Sequence, residues 1–246
     1  CVSDLSFNFD GETSSNFGII VKDVRRQLLP GSNHKLLKVP GRAESYVMPR
    51  ELRDREIRID CIITSNSLTG LQQKVLDIAE WLQKNEYKIL SFSDQPDRYY
   101  RAILVEPVDM EQIVSIGQFT LHFVAEPLAY GGEQNVYFVN DTATVDNQGT
   151  FESQPVFTAV FTGVAAEWKV TGPGGAYIRV VYGFKSSDTL EVNVATGAIL
   201  INDTRAMNKL DWQNSRWFPL RVGESTLTIS PSRVCTTRIS WTPKYL

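Results

Sequence analysis

Along this chain, apolar and polar residues alternate far more often than they recur at helical spacing. From Arg55 to Ile63, the side chains of Ile57, Ile59, Cys61 and Ile63 fall on one face and Arg58, Asp60 and Ile62 on the other. That is the two-residue period of a half-buried strand. Tyr100–Val105 and Gln118–Val124 alternate in the same way, the latter with Phe119, Leu121 and Phe123 on one side. One segment departs from the rule. Leu71, Val75, Ile78 and Leu82 recur at helical spacing, Leu68 and Ala79 widen the stripe, and Thr69 with Gln72 reads as a capping box. The pattern predicts a single amphipathic helix at about 69–84, its apolar stripe laid on a sheet face.

The character changes at Glu126-Pro127-Leu128-Ala129-Tyr130-Gly131-Gly132, a Pro/Gly punctuation that continues neither helix nor strand. Beyond it the pattern predicts no helix. Short strands are expected at 136–139, 156–162, 166–171, 177–182, 189–194, 198–202, 226–229 and 237–241, separated by turn residues such as Gly172-Pro173-Gly174-Gly175 and Ala195-Thr196-Gly197. Strands this short and regularly spaced point to a sandwich. Four of the five Trp (168, 212, 217 and 241) lie in this half. Two domains are therefore expected, 1–130 and 131–246, with no internal repeat.

Composition narrows the class. At 246 residues, 42% hydrophobic and 22% charged, the chain reads as an ordinary globular protein. Its net charge of −3 argues against a dedicated nucleic-acid binder, and sequence-specific recognition of nucleic acid is not expected. No apolar run is long enough to cross a bilayer, and the opening residues do not read as a secretion leader. Cys1 in place of Met points to a trimmed start. Cys1, Cys61 and Cys235 are odd in number and widely spaced, which suits reduced thiols in a chain made in a cytoplasm rather than a disulfide framework or a zinc site. Asn140-Asp141-Thr142 and Asn202-Asp203-Thr204 match the glycosylation pattern, but so short a match is common by chance and nothing suggests secretion.

Candidate chemistry is sparse. Nucleophilic triads and Cys-His pairs need an imidazole, and the chain has only His34 and His122. His122 lies in an alternating strand and reads as a sheet-face or interface residue, and His34 sits in a turn-like, solvated stretch. No cluster has metal-ligand spacing, so no metal, cofactor or catalytic residues are assigned. Gly172-Pro173-Gly174-Gly175 resembles a phosphate cradle only superficially, because it joins two strands and opens no helix. Paired carboxylates of the glycosidase kind have no sequence pointer, and an enzyme ranks low.

One charge feature stands out. Residues 22–58 carry ten positive side chains (Lys22, Arg25, Arg26, Lys35, Lys38, Arg42, Arg50, Arg53, Arg55, Arg58) against Asp23, Glu44, Glu51, Asp54 and Glu56, a net +5. A phosphate-binding face is one reading. The close alternation of signs favours another, an exposed arm whose acids pair with its own bases or with an adjoining subunit. Nearby, Asp97-Arg98-Tyr99-Tyr100-Arg101 has the residue types of a base-stacking platform. With Asp94 and Asp97 before it and Ile103-Leu104-Val105 after it, the stretch reads instead as a Pro96-Asp97 turn entering a strand.

The residues resemble the distal tail proteins (Dit) of long, non-contractile-tailed phages and prophages. The matching pieces are Phe7-Asn8-Phe9-Asp10-Gly11, Phe17-Gly18-Ile19, Lys38-Val39-Pro40-Gly41-Arg42, Arg55–Cys61 and Lys74–Leu82. Pro96–Ala102 and Gly117–Phe123 leading into Pro127–Gly131 complete the series. Each is weak alone, and their order makes the match specific. In the second half, Thr189–Val192, Asp211-Trp212, Trp217–Leu220 and Gly223–Ile229 look like the galectin-like domain many members carry. The His-x-Asn-x-Arg and Trp-x-x-Glu pieces of a galectin sugar site are missing from 131–246.

The resemblance implies a mainly β protein. Its N-terminal α+β domain would be a tail-tube-like sheet or split barrel with the one helix, followed by a galectin-like antiparallel β-sandwich used as scaffold. It implies a structural, non-enzymatic virion component, a distal tail hub. Such hubs form homo-hexameric rings, some members staying monomeric until mixed with partners, between the tail tube protein and the tail tip or baseplate proteins that carry host adsorption. The alternative is a carbohydrate-binding module contacting host-surface glycans through some of the four Trp of the second half.

Overall fold

The computed structural model of the protein describes residues 5–33, 36–38, 41, 46–47, 51–63, 68–106 and 117–246. The chain divides into two compact units, Cys1–Tyr130 and Gly131–Tyr245.

The first unit runs β1 (Phe7–Phe9), β2 (Glu12–Thr13), β3 (Ile19–Arg26) and four two-residue strands, β4 to β7 (Ser32–Asn33, Leu36–Leu37, Tyr46–Val47, Glu51–Leu52). Then come β8 (Arg55–Ile63), α1 (Leu68–Leu82), β9 (Lys88–Phe92), β10 (Gln95–Leu104), β11 (Gln118–Ala125) and β12 (Ala129–Tyr130). Antiparallel pairing orders the main sheet β2-β1-β9-β10-β11-β8-β3, with β12 set against β10. The β1–β2 hairpin turns on Asp10-Gly11, both at positive φ, which is what the Asp-Gly pair of a tight hairpin supplies.

The alternation in β8 is realised. Ile57, Ile59, Cys61 and Ile63 are buried and meet Phe123, Leu121 and Phe119 of β11 in register. The sheet curls so that Arg26 on β3 reaches across β8 and β11 to the β9–β10 turn. There it donates to Gln95 Oε1 at 2.8 Å, pairs with Asp94 and lies 4.5 Å over the Phe92 ring. This closes the sheet toward a barrel.

Helix α1 buries Leu71, Val75, Ile78 and Leu82, the four positions of the periodic stripe. Ala79 is exposed, so the stripe is narrower there, and the helix stops at Leu82 rather than at 84. The side chains of Leu68, Thr69 and Gln72, including the expected capping pair, lie outside the described residues. Trp81, three residues after Ile78, joins the buried face. Its Nε1 donates to the Phe9 carbonyl at 2.8 Å, and its ring stacks on Phe17 at 4.3 Å and Phe7 at 5.5 Å. Phe9 lies 5.2 Å from Phe123, so one aromatic cluster joins the helix to β1 and β11.

Strand β10 starts at Gln95, earlier than its alternation suggests. The turn falls on Ser93–Asp94, and Pro96 and Asp97 lie in a bulge where the register shifts between Gln95↔Phe92 and Tyr99↔Ser91. Proline, having no N–H to give a ladder, is tolerated at such a place. Tyr100 is buried, while Tyr99 stacks on Tyr130 at 5.6 Å.

The second unit contains β13 (Gln134–Tyr137), β14 (Thr142–Asn147), β15 (Val156–Phe161), β16 (Ala165–Thr171), β17 (Tyr177–Phe184) and β18 (Thr189–Asn193). It continues with β19 (Ala198–Ile201), β20 (Thr204–Arg205), β21 (Gly223–Ser230), β22 (Cys235–Trp241) and β23 (Lys244–Tyr245). Two antiparallel sheets, β13-β22-β15-β18-β19-β20 and β14-β21-β16-β17, enclose one core. Phe157, Phe161, Val192 and Ile239 from the first meet Trp168, Val180, Phe184 and Leu227 from the second, and Phe161 stacks on Phe184 at 3.9 Å. This is a β-sandwich. Gly172-Pro173-Gly174-Gly175 makes the β16–β17 turn. A Cβ at Gly172 would lie 2.5 Å from the Phe218 ring, so the ring's seat requires glycine.

Two substitutions test the packing. Leu82→Ala should cost about 2–5 kcal/mol in urea denaturation, and a loss below about half a kilocalorie would mean the helix face is wrongly assigned. Gly172→Ala should cost about 1–3 kcal/mol as Phe218 is forced off its seat, and an unchanged denaturation midpoint would contradict it.

Candidate assembly surfaces

Where the charged window 22–58 is described, Arg25 and Arg58 pair with acids beside them. Arg25 lies 3.2 Å from Asp23 and 3.0 Å from Asp60, and Arg58 lies 3.5 Å from Glu56. Asp60 also accepts from Thr120 Oγ1 at 2.6 Å, so β3, β8 and β11 share one mixed-charge face. A face paired this closely offers little net field to phosphate. Lys35, Arg42, Glu44 and Arg50 lie outside the described residues, as does His34.

Arg55 behaves differently. It is 3% exposed, with Nε donating to the Pro127 carbonyl at 2.9 Å and Nη1 to the Gln27 carbonyl at 3.1 Å. Burial pulls its pKa below the ordinary arginine value. Both bonds go to backbone carbonyls, so this cation works as a tie between segments rather than as half of an ion pair. The loop it holds, Gln27–Gly31, leaves Leu28 88% and Leu29 54% exposed.

His122 is 8% exposed. Its Nδ1 lies 2.9 Å from Glu106 Oε1, without hydrogen-bond alignment, and its Nε2 lies 3.6 Å from Glu56 Oε2. It sits in β11, opposite Arg58 of β8. Arg101 and Tyr130 meet at Glu126: Arg101 lies 3.4 Å from its carboxylate, and the Tyr130 hydroxyl donates to it. Burial and that bond raise the Tyr130 pKa. The supposed stacking platform is thus occupied with holding β10 to β12.

In the second unit, Trp168 and Trp241 are core residues and Trp217 packs against the core, but Trp212 is 62% exposed. Its loop is pinned. Arg179 pairs with Glu167 and, at 3.2 Å, with Asp211, whose carboxylate accepts from Asn214 at 3.0 Å. Both glycosylation-like motifs are tight turns, with Asn140, Asp141, Asn202 and Asp203 all at positive φ. Their Asn-Asp pairs serve backbone geometry. Among the described residues no group of three or more His, Cys, Asp or Glu could hold a metal ion, and no helix is long and apolar enough to cross a membrane.

Comparison with known proteins finds two matching domains along the chain. Residues 14–125 match the phage tail protein RIFT-related domain, and residues 148–245 match the C-terminal domain of the siphovirus-type tail component. The chain belongs to the siphovirus distal tail protein (Dit) family. It is 23% identical to the distal tail protein of Bacillus phage SPP1 over 219 residues, covering 87% of this chain and 86% of that protein. The crystal structure of SPP1 Dit, described as a paradigm of hub adsorption apparatus in phages infecting Gram-positive bacteria, shares the fold. Its TM-score is 0.84 at 20% identity, over 99% of this chain and 100% of that one. A chain of the phage P2 baseplate in its activated conformation is more distant, with a TM-score of 0.53 at 10% identity over 96% of this chain and 97% of that one.

Electrostatics in this Dit protein predicts an acid response. Hydrogen bonds from Asn214 to Asp211 and from Asn202 to Asp188 hold both carboxyls below their ordinary values, as Lys84 does for Asp10. A depressed carboxyl stabilises the fold above its unfolded value, about 3.9, and that contribution is lost as pH falls through the folded value. Melting temperature should therefore fall below about pH 4, less steeply in Asp211→Asn. A melting temperature that stays flat under acid would contradict this. Burial also pushes the Cys61 thiol up to about 12, so the native protein should resist alkylation at Cys61 at pH 8, as mass spectrometry of the labelled chain would show.

Proposed function

We propose that this chain is a distal tail hub, a structural and non-enzymatic component of the phage tail. In this reading it assembles as a homo-hexameric ring joining the tail tube to the tail tip or baseplate. The first unit is the ring-former, and the second is a galectin-like scaffold that docks adsorption proteins. One observation supports the reading most: two distinct tail-protein domains match successive parts of the chain, and a protein described as a hub shares its fold over nearly its whole length. The surfaces support it, because apolar groups are left exposed at Leu28, Leu29 and Trp212. The glycan-binding alternative is not favoured by relatives of this kind.

Light scattering and negative-stain electron microscopy of the purified chain, alone and with its tube and tip proteins, test the reading. A six-membered ring, either free or formed on mixing, is the expected result. A strict monomer that ignores both partners would overturn it.

A further inference from the structure

His122 is buried in β11 with an acid on each side of its ring. Nδ1 lies 2.9 Å from Oε1 of Glu106, just past the end of β10, and Nε2 lies 3.6 Å from Oε2 of Glu56 on β8. Neither nitrogen has a hydrogen-bond partner among the described residues. Arg58, opposite His122 in the β11–β8 register, lies 3.5 Å from the same Glu56 oxygen. Farther out on β3, Arg25 faces Arg58 in register and is paired with Asp23 and Asp60.

Ionised carboxylates only accept hydrogen bonds. A neutral imidazole has one N–H and one lone pair, so it can donate to one of these acids and must turn a lone pair on the other. The imidazolium has an N–H on each side and matches both. Two acids and one cation, Arg58, surround the ring, so the added charge meets a net negative setting. The Glu106 contact already has hydrogen-bond length and lacks only alignment, and its side chain is 67% exposed, with room to turn. At the same place the Val105 amide donates to the His122 carbonyl at 3.0 Å, the last backbone bond holding the end of β10 to β11.

We propose that His122 is a proton-operated clamp: the imidazolium donates to Glu106 through Nδ1 and to Glu56 through Nε2, fastening the end of β10 to β8 across β11. The clamp closes when the proton is taken up and opens as pH rises and the proton leaves. Imidazole is the side chain whose charge ordinarily changes between about pH 5 and 8, so the first unit carries a tie that responds to mild acid. Arg55, whose donors meet backbone carbonyls, has no such response, and the two ties divide the labour of a fixed and a switchable link. The clamp belongs to a single chain and does not depend on the ring reading.

The test is nuclear magnetic resonance of the full chain labelled at histidine. Only His34 and His122 report, and His34→Gln separates them. Between about pH 8 and 5 the His122 ring should pass from one N–H to two. Removing one acid, in Glu106→Gln or in Glu56→Gln, should lower the midpoint of that change by about half a unit. Over the same range, exchange of the Val105 amide, corrected for its intrinsic rate, should slow by about threefold in wild type and stay constant in Glu106→Gln. Both variants alter exposed side chains, so at pH 8, where the clamp is open, they should melt as wild type does. A midpoint that neither substitution moves, a ring that stays neutral throughout, or Val105 exchange in wild type that ignores pH would overturn the clamp.

Discussion

The first unit depends on one buried guanidinium. Taking Arg55 out of water costs several kcal/mol unless its donors are met; Nε and Nη1 are met by two backbone carbonyls from distant segments, Pro127 and Gln27, while Nη2 is buried without a hydrogen bond. The Tyr100 ring, 5.9 Å away, adds a favourable face for the charge. Neither carbonyl can be replaced by solvent without stranding a buried cation, so both segments are tied to the start of β8. One of them is the loop that presents Leu28 and Leu29. A residue that looks like part of a charged arm is thus what gives an apolar surface element a fixed position.

Assembly in this family member then becomes a question of which groups the fold has left unspent. Arg25, Arg26 and Arg58 are committed to Asp60, Asp94 and Glu56, and Arg179 to Glu167 and Asp211. Exposed pairs of this kind add little stability, but they remove bare charge and leave the apolar exceptions as the specific features of the surface. The Arg179 clamp has its counterpart in the first unit's Arg55 tie, since each holds a loop that exposes large apolar side chains.

Much of the fold is legible in the sequence because alternation and burial coincide. In β8 and β11 the alternate residues Ile57, Ile59, Ile63, Phe119, Leu121 and Phe123 are large and apolar, and they face the core. The helix is equally plain at Leu71, Val75, Ile78 and Leu82, and Trp81 could have been added from its spacing. Strand β14 escapes because its inward residues are Ala143, Val145 and Asn147. Asn147 is buried only because its amide donates to the Phe151 and Leu220 carbonyls, a satisfaction no local pattern reveals. The Pro96-Asp97 bulge is misread for a related reason, since the same residues suit a turn and tertiary pairing decides. The surfaces are least legible. Two leucines before a proline could end a strand or seat in a core, and their exposure depends on Arg55, far along the chain.

Hydrogen–deuterium exchange on the wild-type chain and on Arg55→Ala reaches the central claim most directly. The account predicts faster exchange at residues 27–31 in the variant, where the tie to the Gln27 and Pro127 carbonyls is gone. A segment that exchanges equally in both proteins would contradict it.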